Sequence, residues 1–218
     1  MQLFVSDKGF IYVVPMQSKS QVPQALKMFA KEVGAPDAVI CDAAREQISK
    51  EVKHFCHQMG TTLRVLEENT PWANRAELYI GLVKEGIRKD MKDSNCPLVF
   101  WDYCAERRAR VNNLTAKNLF QLEGQNAHYS VTGEPGDISN LCQFDWYGWC
   151  YFRDQKVAFP NTKEVLGRVL GPAKGEGNEM AQWVLQANGN VVPRRTVRPI
   201  NTAEIRSEVE KTKRQKFD

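Results

Sequence analysis

The run Ala38-Val39-Ile40-Cys41 constrains the fold more than any other stretch. Its apolar, β-branched character reads as a strand suited to a core, yet it stops abruptly on Asp42. Helical periodicity lies on both sides. Upstream, Ser18 to Val33 places Ala25, Leu26, Phe29 and Val33 on one face, and Gly34 is a natural stop. Downstream, Ile48 to Met59 carries the stripe Val52, Phe55, Cys56 and Met59 and ends at Gly60; Thr61 to Leu66 is again strand-like. Ahead of all this, Leu3-Phe4-Val5 and Phe10 to Val14 flank Asp7-Lys8-Gly9, a turn of the hairpin type. Hairpin, helix, strand, helix, strand is an α/β pattern.

Glu67 to Asn74 is a polar loop containing Pro71. A long helix follows, roughly Arg75 to Lys92, with Ile80, Val83, Ile87 and Met91 recurring at steps of three and four. Pro97 opens another helix that runs to about Asn113, and Leu114 to His128 fades from weak helix into loop. The character changes after Val131. Thr132 to Gly136 is linker-like, and short strands follow at Trp149–Phe152, Val165–Leu170, Met180–Leu185 and Val191-Val192. Glycines 167, 171, 175, 177 and 189 punctuate them, as in a small β-barrel or partial sheet. The expected organisation is a core over 1–130, a linker over 131–145, a β-rich module over 146–200 and a charged tail over 201–218.

Composition removes several classes. With 42% hydrophobic and 26% charged residues the chain is an ordinary globular mixture, not a disordered one. No apolar run approaches the roughly 18 residues of a membrane span. Met1 to Asp7 lacks the basic and apolar regions of a secretory signal. The six cysteines contain no C-x-x-C pair, so free thiols in an intracellular, reducing compartment are expected. His54 and His57 fall off the apolar stripe of their helix, which favours a solvated role over a metal site. A net charge of +4 permits a nucleic-acid partner without demanding one.

In open α/β sheets ligands gather at the carboxyl ends of strands, where Asp42 sits. Asp42 is equally suited to capping the turn that follows it. Glu77 lies 77 − 42 = 35 positions on, in the first turn of the long helix, a place that the helix dipole also favours for a carboxylate. Lys84, Arg88 and Lys92 follow Glu77 at steps of 7, 11 and 15, within one broad face away from the apolar stripe. A carboxylate followed by cations suits a metal ion and then a phosphate backbone; a plain solvated face is the alternative.

On these residues, the stretch from about Leu3 to Glu123 resembles the catalytic core of retroelement integrases, especially the copia-like retrotransposon class. "ICDAAREQ" resembles the segment in which the second aspartate of that core ends a strand, and "TPWANRAEL" the loop and helix that carry its glutamate. Leu141 to about Pro199 is similar to the β-rich segment that follows the core. The resemblance implies an RNase H-like mixed sheet flanked by helices, then a small β-rich module, SH3-like or a partial barrel. It also implies Asp42 and Glu77 as catalytic metal ligands for Mg²⁺ or Mn²⁺, and DNA contacts from Arg75, Lys84, Arg88 and Lys92. DNA as substrate, a homo-oligomer assembled on it, and a nuclear or virus-like-particle location come with the same resemblance, as does the absence of any membrane role. Glu46 matches an acid often found after the second aspartate and is assigned no catalytic role.

The departures matter as much. The family holds two metals with three acids, the first on the opening strand of the sheet. Asp7 sits on the hairpin turn, only 42 − 7 = 35 positions before Asp42, which is short for that role. The expectation is therefore that the first strand and its aspartate are absent from these residues, leaving strand transfer weak or lost. Where relatives are glycine-rich, Ala43-Ala44-Arg45 and Pro71-Trp72-Ala73 stand here. A non-enzymatic nucleic-acid-binding remnant of a retroelement is the second reading. A receiver-like phosphoacceptor domain is the third, weakened by the opening hairpin and the β-rich end.

Overall fold

The computed structural model describes residues 1–67, 75–116, 120–173 and 180–217. The chain divides into two compact units, Met1–Gly86 with Arg108–Gly136, and Ile87–Arg107 with Asp137–Asp218. The expected loop beyond Glu67 and the expected turn glycines Gly175 and Gly177 lie outside the described residues.

The first unit opens with a hairpin, β1 (Gln2–Val5) and β2 (Ile11–Val14), paired in register Val5↔Ile11 to Gln2↔Val14. Ser6 shapes the turn, its hydroxyl accepting from Phe10 N at 3.1 Å, while Gly9 takes φ +76°. Helix α1 (Val22–Glu32) follows a short 3₁₀ turn and ends at Gly34, φ +117°. Strand β3 (Ala38–Cys41), helix α2 (Lys50–Gln58) and strand β4 (Thr62–Val65) form a parallel strand–helix–strand unit with Ala38 opposite Thr62. Ser49 caps α2 by accepting from Val52 N at 3.4 Å, and Gly60 closes it at φ +69°.

One helical layer supports both strand pairs. Val22 and Leu26 of α1 and Val52 and Cys56 of α2 form a buried cluster against which Phe4 of β1, Val39 of β3 and Leu63 of β4 pack. Tyr12 and Val14 of β2 belong to a neighbouring cluster with Phe10, Ala25 and Ala127, which Phe4 also touches. Phe4 stacks on Phe29 at 4.8 Å between ring centres. Yet the strands do not make the one mixed sheet that the sequence suggested. Among the described residues β1 pairs only with β2, and β3 only with β4.

Two long helices, α3 (Arg75–Asp93) and α4 (Trp101–Leu114), each pass from one unit into the other. Val83, Ile87 and Met91 of the α3 stripe are buried as expected, and Ile80 is half-buried. Short helices α5 (Tyr129–Thr132) and α6 (Ser139–Gln143) follow, with Leu141 buried.

The second unit contains an antiparallel sheet in the order β8-β7-β6-β5-β9. Its strands are β5 (Trp149–Arg153), β6 (Glu164–Pro172), β7 (Gln182–Gln186), β8 (Val191–Arg194) and β9 (Val197–Pro199). A bulge between Val169 and Gly171 bends β6, where Gly171 adopts φ +110°. Phe144, Cys150, Phe152, Val169 and Val184 form the inner core. The terminal residues are more ordered than a charged tail. Helices α7 (Thr202–Arg206) and α8 (Glu208–Phe217) are held on the sheet, with Phe217 edge-on to Trp149 at 5.2 Å. Asn201 and Glu204 form a reciprocal capping box at the start of α7. Arg198 bridges Glu164 and Glu204, both at 2.9 Å, and Tyr151 donates its hydroxyl proton to the Glu210 carboxylate.

Candidate functional site

Asp42 ends β3 with its side chain exposed. Its Oδ1 accepts from Ala44 N at 3.3 Å, so the turn-capping role read from the sequence is present. Beside it lies an ion pair that spacing did not suggest, Lys19 Nζ to Glu46 at 2.9 Å. Hydrogen bonding to Glu46 raises the Lys19 ammonium above its ordinary value, and Asp42 adds to the effect. The same bond holds the Glu46 carboxyl low. Burial pushes the neighbouring Cys41 thiol up, with Asp42 reinforcing it. Asp42 therefore occupies a mixed-charge surface.

Glu77 is exposed in the first turn of α3. Two residues before it, Arg75 donates from Nη1 to the backbone oxygen of Asp7 in the hairpin turn. Further along α3, Lys84 lies close enough to the Met1 amino group to help lower its pKa, after the larger effect of burial. The helix thus runs beside β1 with its start at the turn. At the other end of β1, Gln2 Oε1 accepts from Gln47 Nε2 at 3.1 Å, and Gln47 follows Asp42 in the same loop. The elements bearing Asp42 and Glu77 are tied to opposite ends of β1. No hydrogen bond or ion pair joins the two acids, and among the described residues no three His, Cys, Asp or Glu side chains form a group able to hold a metal ion. His54 and His57 are exposed on α2.

Lys84, Arg88 and Lys92 are all exposed on α3, each about 100° round the helix from the buried Val83, Ile87 and Met91 that precede them. The structure thus presents the predicted cationic face to solvent. One residue that escaped the sequence reading is Asn113, only 7% exposed. Its Oδ1 accepts from Ile11 N at 2.7 Å and its Nδ2 donates to Ile11 O at 2.7 Å. A side-chain amide there satisfies both outward backbone groups of a strand residue. The only signal was an asparagine pair, Asn112-Asn113, near the end of an amphipathic helix.

A chain of the simian T-cell lymphotropic virus intasome, solved by cryo-EM in complex with PP2A regulatory subunit B56 gamma, matches with a TM-score of 0.50 at 15% identity. The match covers 91% of this chain and 71% of that one. The likeness is one of fold. The HTLV-2 integrase catalytic core domain in complex with magnesium matches in its trimeric form with a TM-score of 0.48 at 18% identity, over 59% of this chain and 81% of that chain. Its dimeric form matches with a TM-score of 0.45 at 17% identity, over 56% and 76%. No family model matches the sequence, and no curated protein matches it significantly.

Proposed function

We propose that this chain is an integrase-type polynucleotidyl transferase core of the copia-like class that carries two of the acids its chemistry requires, Asp42 and Glu77. The observation behind the reading is the coincidence of two independent facts. The fold likeness to an intasome chain extends over 91% of the residues. Within that fold, an aspartate ends a parallel strand and a glutamate starts a helix 77 − 42 = 35 positions later, the pattern of the resemblance. DNA is the substrate, Lys84, Arg88 and Lys92 contact its phosphates, and the working form is a homo-oligomer on DNA.

The described residues do not by themselves fit a divalent-metal site. Asp42 and Glu77 are unjoined, and no third ligand accompanies them. No metal-borne step is assigned to this chain alone. This reading assigns no residue of the chain to the first of the three acids, so joining by the chain alone is expected to be impaired. The purified chain, incubated with Mg²⁺ or Mn²⁺ and a duplex with a recessed 3′ end, is expected to join DNA no better than its Asp42→Ala variant. A version extended at Met1 by an aspartate-bearing strand is expected to gain metal-dependent joining that Asp42→Ala or Glu77→Ala removes. Robust joining by the unextended chain, lost in Asp42→Ala, would overturn the incomplete site and promote Asp7.

The exposed cations of α3 favour a second reading, binding of nucleic acid without turnover. It predicts a salt-dependent affinity whose log–log slope falls by about 1.8 when Lys84 and Arg88 are both neutralised. Turnover by the extended chain excludes this reading.

A further inference from the structure

A cleft of about 390 Å³ opens at the β9 edge of the second unit's sheet, where β9, β5 and the start of β6 lie side by side. Tyr151, Phe152 and Val197 give it apolar walls, and Thr162 and Thr196 bring hydroxyls. Its charged lining is Arg153, Lys163, Arg198 and Glu164, three cations against one carboxylate.

The pairing of that carboxylate decides the character of the cleft. In the register of β5 and β6, Glu164 stands directly opposite Arg153, the place of a cross-strand ion pair. It is held instead by Arg198, which donates to it from Nε at 3.0 Å and from Nη2 at 2.9 Å. Arg198 grips Glu204 in the same two-pronged way, from Nη1 at 3.0 Å and Nη2 at 2.9 Å. One guanidinium thus occupies two carboxylates. The nearby Asp154 accepts from its own loop, at Lys156 N, at 3.1 Å. Among the described residues no acid pairs with the side chain of Arg153 or of Lys163, and both are exposed. The backbone keeps these two cations together: Asp154 N donates to Lys163 O at 2.9 Å, and Arg153 N donates to Thr196 O at 3.2 Å. Thr162 Oγ1 accepts from Glu164 N at 3.2 Å, which leaves its hydroxyl proton free to donate.

We infer that this cleft binds a terminal phosphate monoester, free or at the end of a nucleic-acid strand. A monoester carries close to two negative charges at neutral pH and three acceptor oxygens. The planar fork of Arg153 and the point charge of Lys163 match the two charges, and the hydroxyls of Thr162 and Thr196 donate to the remaining lone pairs. A phosphodiester has a single charge and would leave one of the two cations unanswered. Glu164 does not bar the anion, because Arg198 already compensates it. The apolar walls take the carbon skeleton behind the phosphate. None of these residues belongs to the Asp42 loop or to α3, so the inference goes beyond the transferase reading and does not rest on it.

The test titrates the full chain with a short single strand bearing a 5′-phosphate, with the same strand ending in a 5′-hydroxyl, and with inorganic phosphate as the free-anion probe. Backbone amide and guanidinium resonances are followed by NMR. The phosphorylated strand and inorganic phosphate are both expected to shift Arg153, Lys163 and Thr196, and the phosphorylated strand should bind about tenfold or more tighter than the hydroxyl strand. Arg153→Gln and Lys163→Gln, both at exposed positions, should each weaken that binding by about tenfold. Glu164→Gln, which releases Arg198 from one carboxylate, should strengthen it. Inorganic phosphate shifting the same residues while the two strands bind alike supports the cleft and names the free anion as its ligand. Equal binding of the two strands with no response to inorganic phosphate overturns the monoester. Shifts confined to Lys84, Arg88 and Lys92, or unchanged affinity in both Arg153→Gln and Lys163→Gln, overturn the cleft.

Discussion

The hairpin and the β5–β9 sheet solve the same problem to different degrees. Both present a strand face to a core. In the second unit, each central strand has two hydrogen-bonded neighbours, and the C-terminal helices cover the outer face at Trp149 and Tyr151. In the first unit, all four residues of β2 are buried, yet among the described residues β1 and β3 each keep one edge without a strand partner. Burial of side chains and completion of backbone pairing are therefore separate achievements. The second unit has both; the first has more of the former than the latter.

Core truncation in the completed sheet is the strongest way to break this contrast. Phe152, 1% exposed within the inner core, is expected to lose about 3–5 kcal/mol of stability on Phe152→Ala, read by urea unfolding. An effect below about 1 kcal/mol would show that the second unit is no better consolidated than the first.

Next in size is Asn113→Ala, which leaves the N–H and C=O of buried Ile11 without their partner. A loss of about 2–6 kcal/mol is expected, because each of the two orphaned buried groups costs about 1–3 kcal/mol. Asn113→Asp retains the acceptor alone and should not restore wild-type stability. A neutral result for Asn113→Ala would mean that water replaces the amide and that the β2 edge is as open as that of β1.

The smallest effect sharpens the comparison within the second unit. Hydrogen bonds from Arg198 are the main cause of the lowered Glu164 and Glu204 carboxyls, and the bond from Lys213 is the main cause at Glu210, with Tyr151 second. A depressed folded-state carboxyl stabilises above its unfolded value and loses that contribution as pH falls through the folded one. Attachment of α7 and α8 should therefore weaken as the medium is acidified below the ordinary glutamate range, while the inner core persists. Limited proteolysis after Ile200 at falling pH reads this out. Tyr151→Phe should remove about 0.5–1.5 kcal/mol at neutral pH and little in acid.

Local patterns made much of the fold legible. The glycine stops at Gly34 and Gly60, the β3–α2–β4 unit and the α3 stripe all follow from periodicity and turn chemistry, which act over a few residues. Strand β9 escaped because Val197-Arg198-Pro199 is too short and too polar to stand out, and it forms only against Cys150, Tyr151 and Phe152 of β5. The tail read as charged because composition registers Lys211, Lys213 and Lys216 but not the inward aim of Glu204, Glu210 and Phe217. At the candidate site, exposure of Asp42, Glu77 and the α3 cations was readable. The Lys19–Glu46 pair beside Asp42 joins residues 27 apart (46 − 19), a tertiary coincidence that no periodicity announces.

The Asn113 clasp also gives the molecule a direction. A β-ribbon with two bare margins can be lengthened sideways from either, as stacked fibrils are. Here the outer margin of the hairpin meets a carboxamide that takes both backbone groups of Ile11. At Ile11 lateral recruitment along β2 is thereby blocked, because an incoming strand would find both backbone groups of that residue already taken.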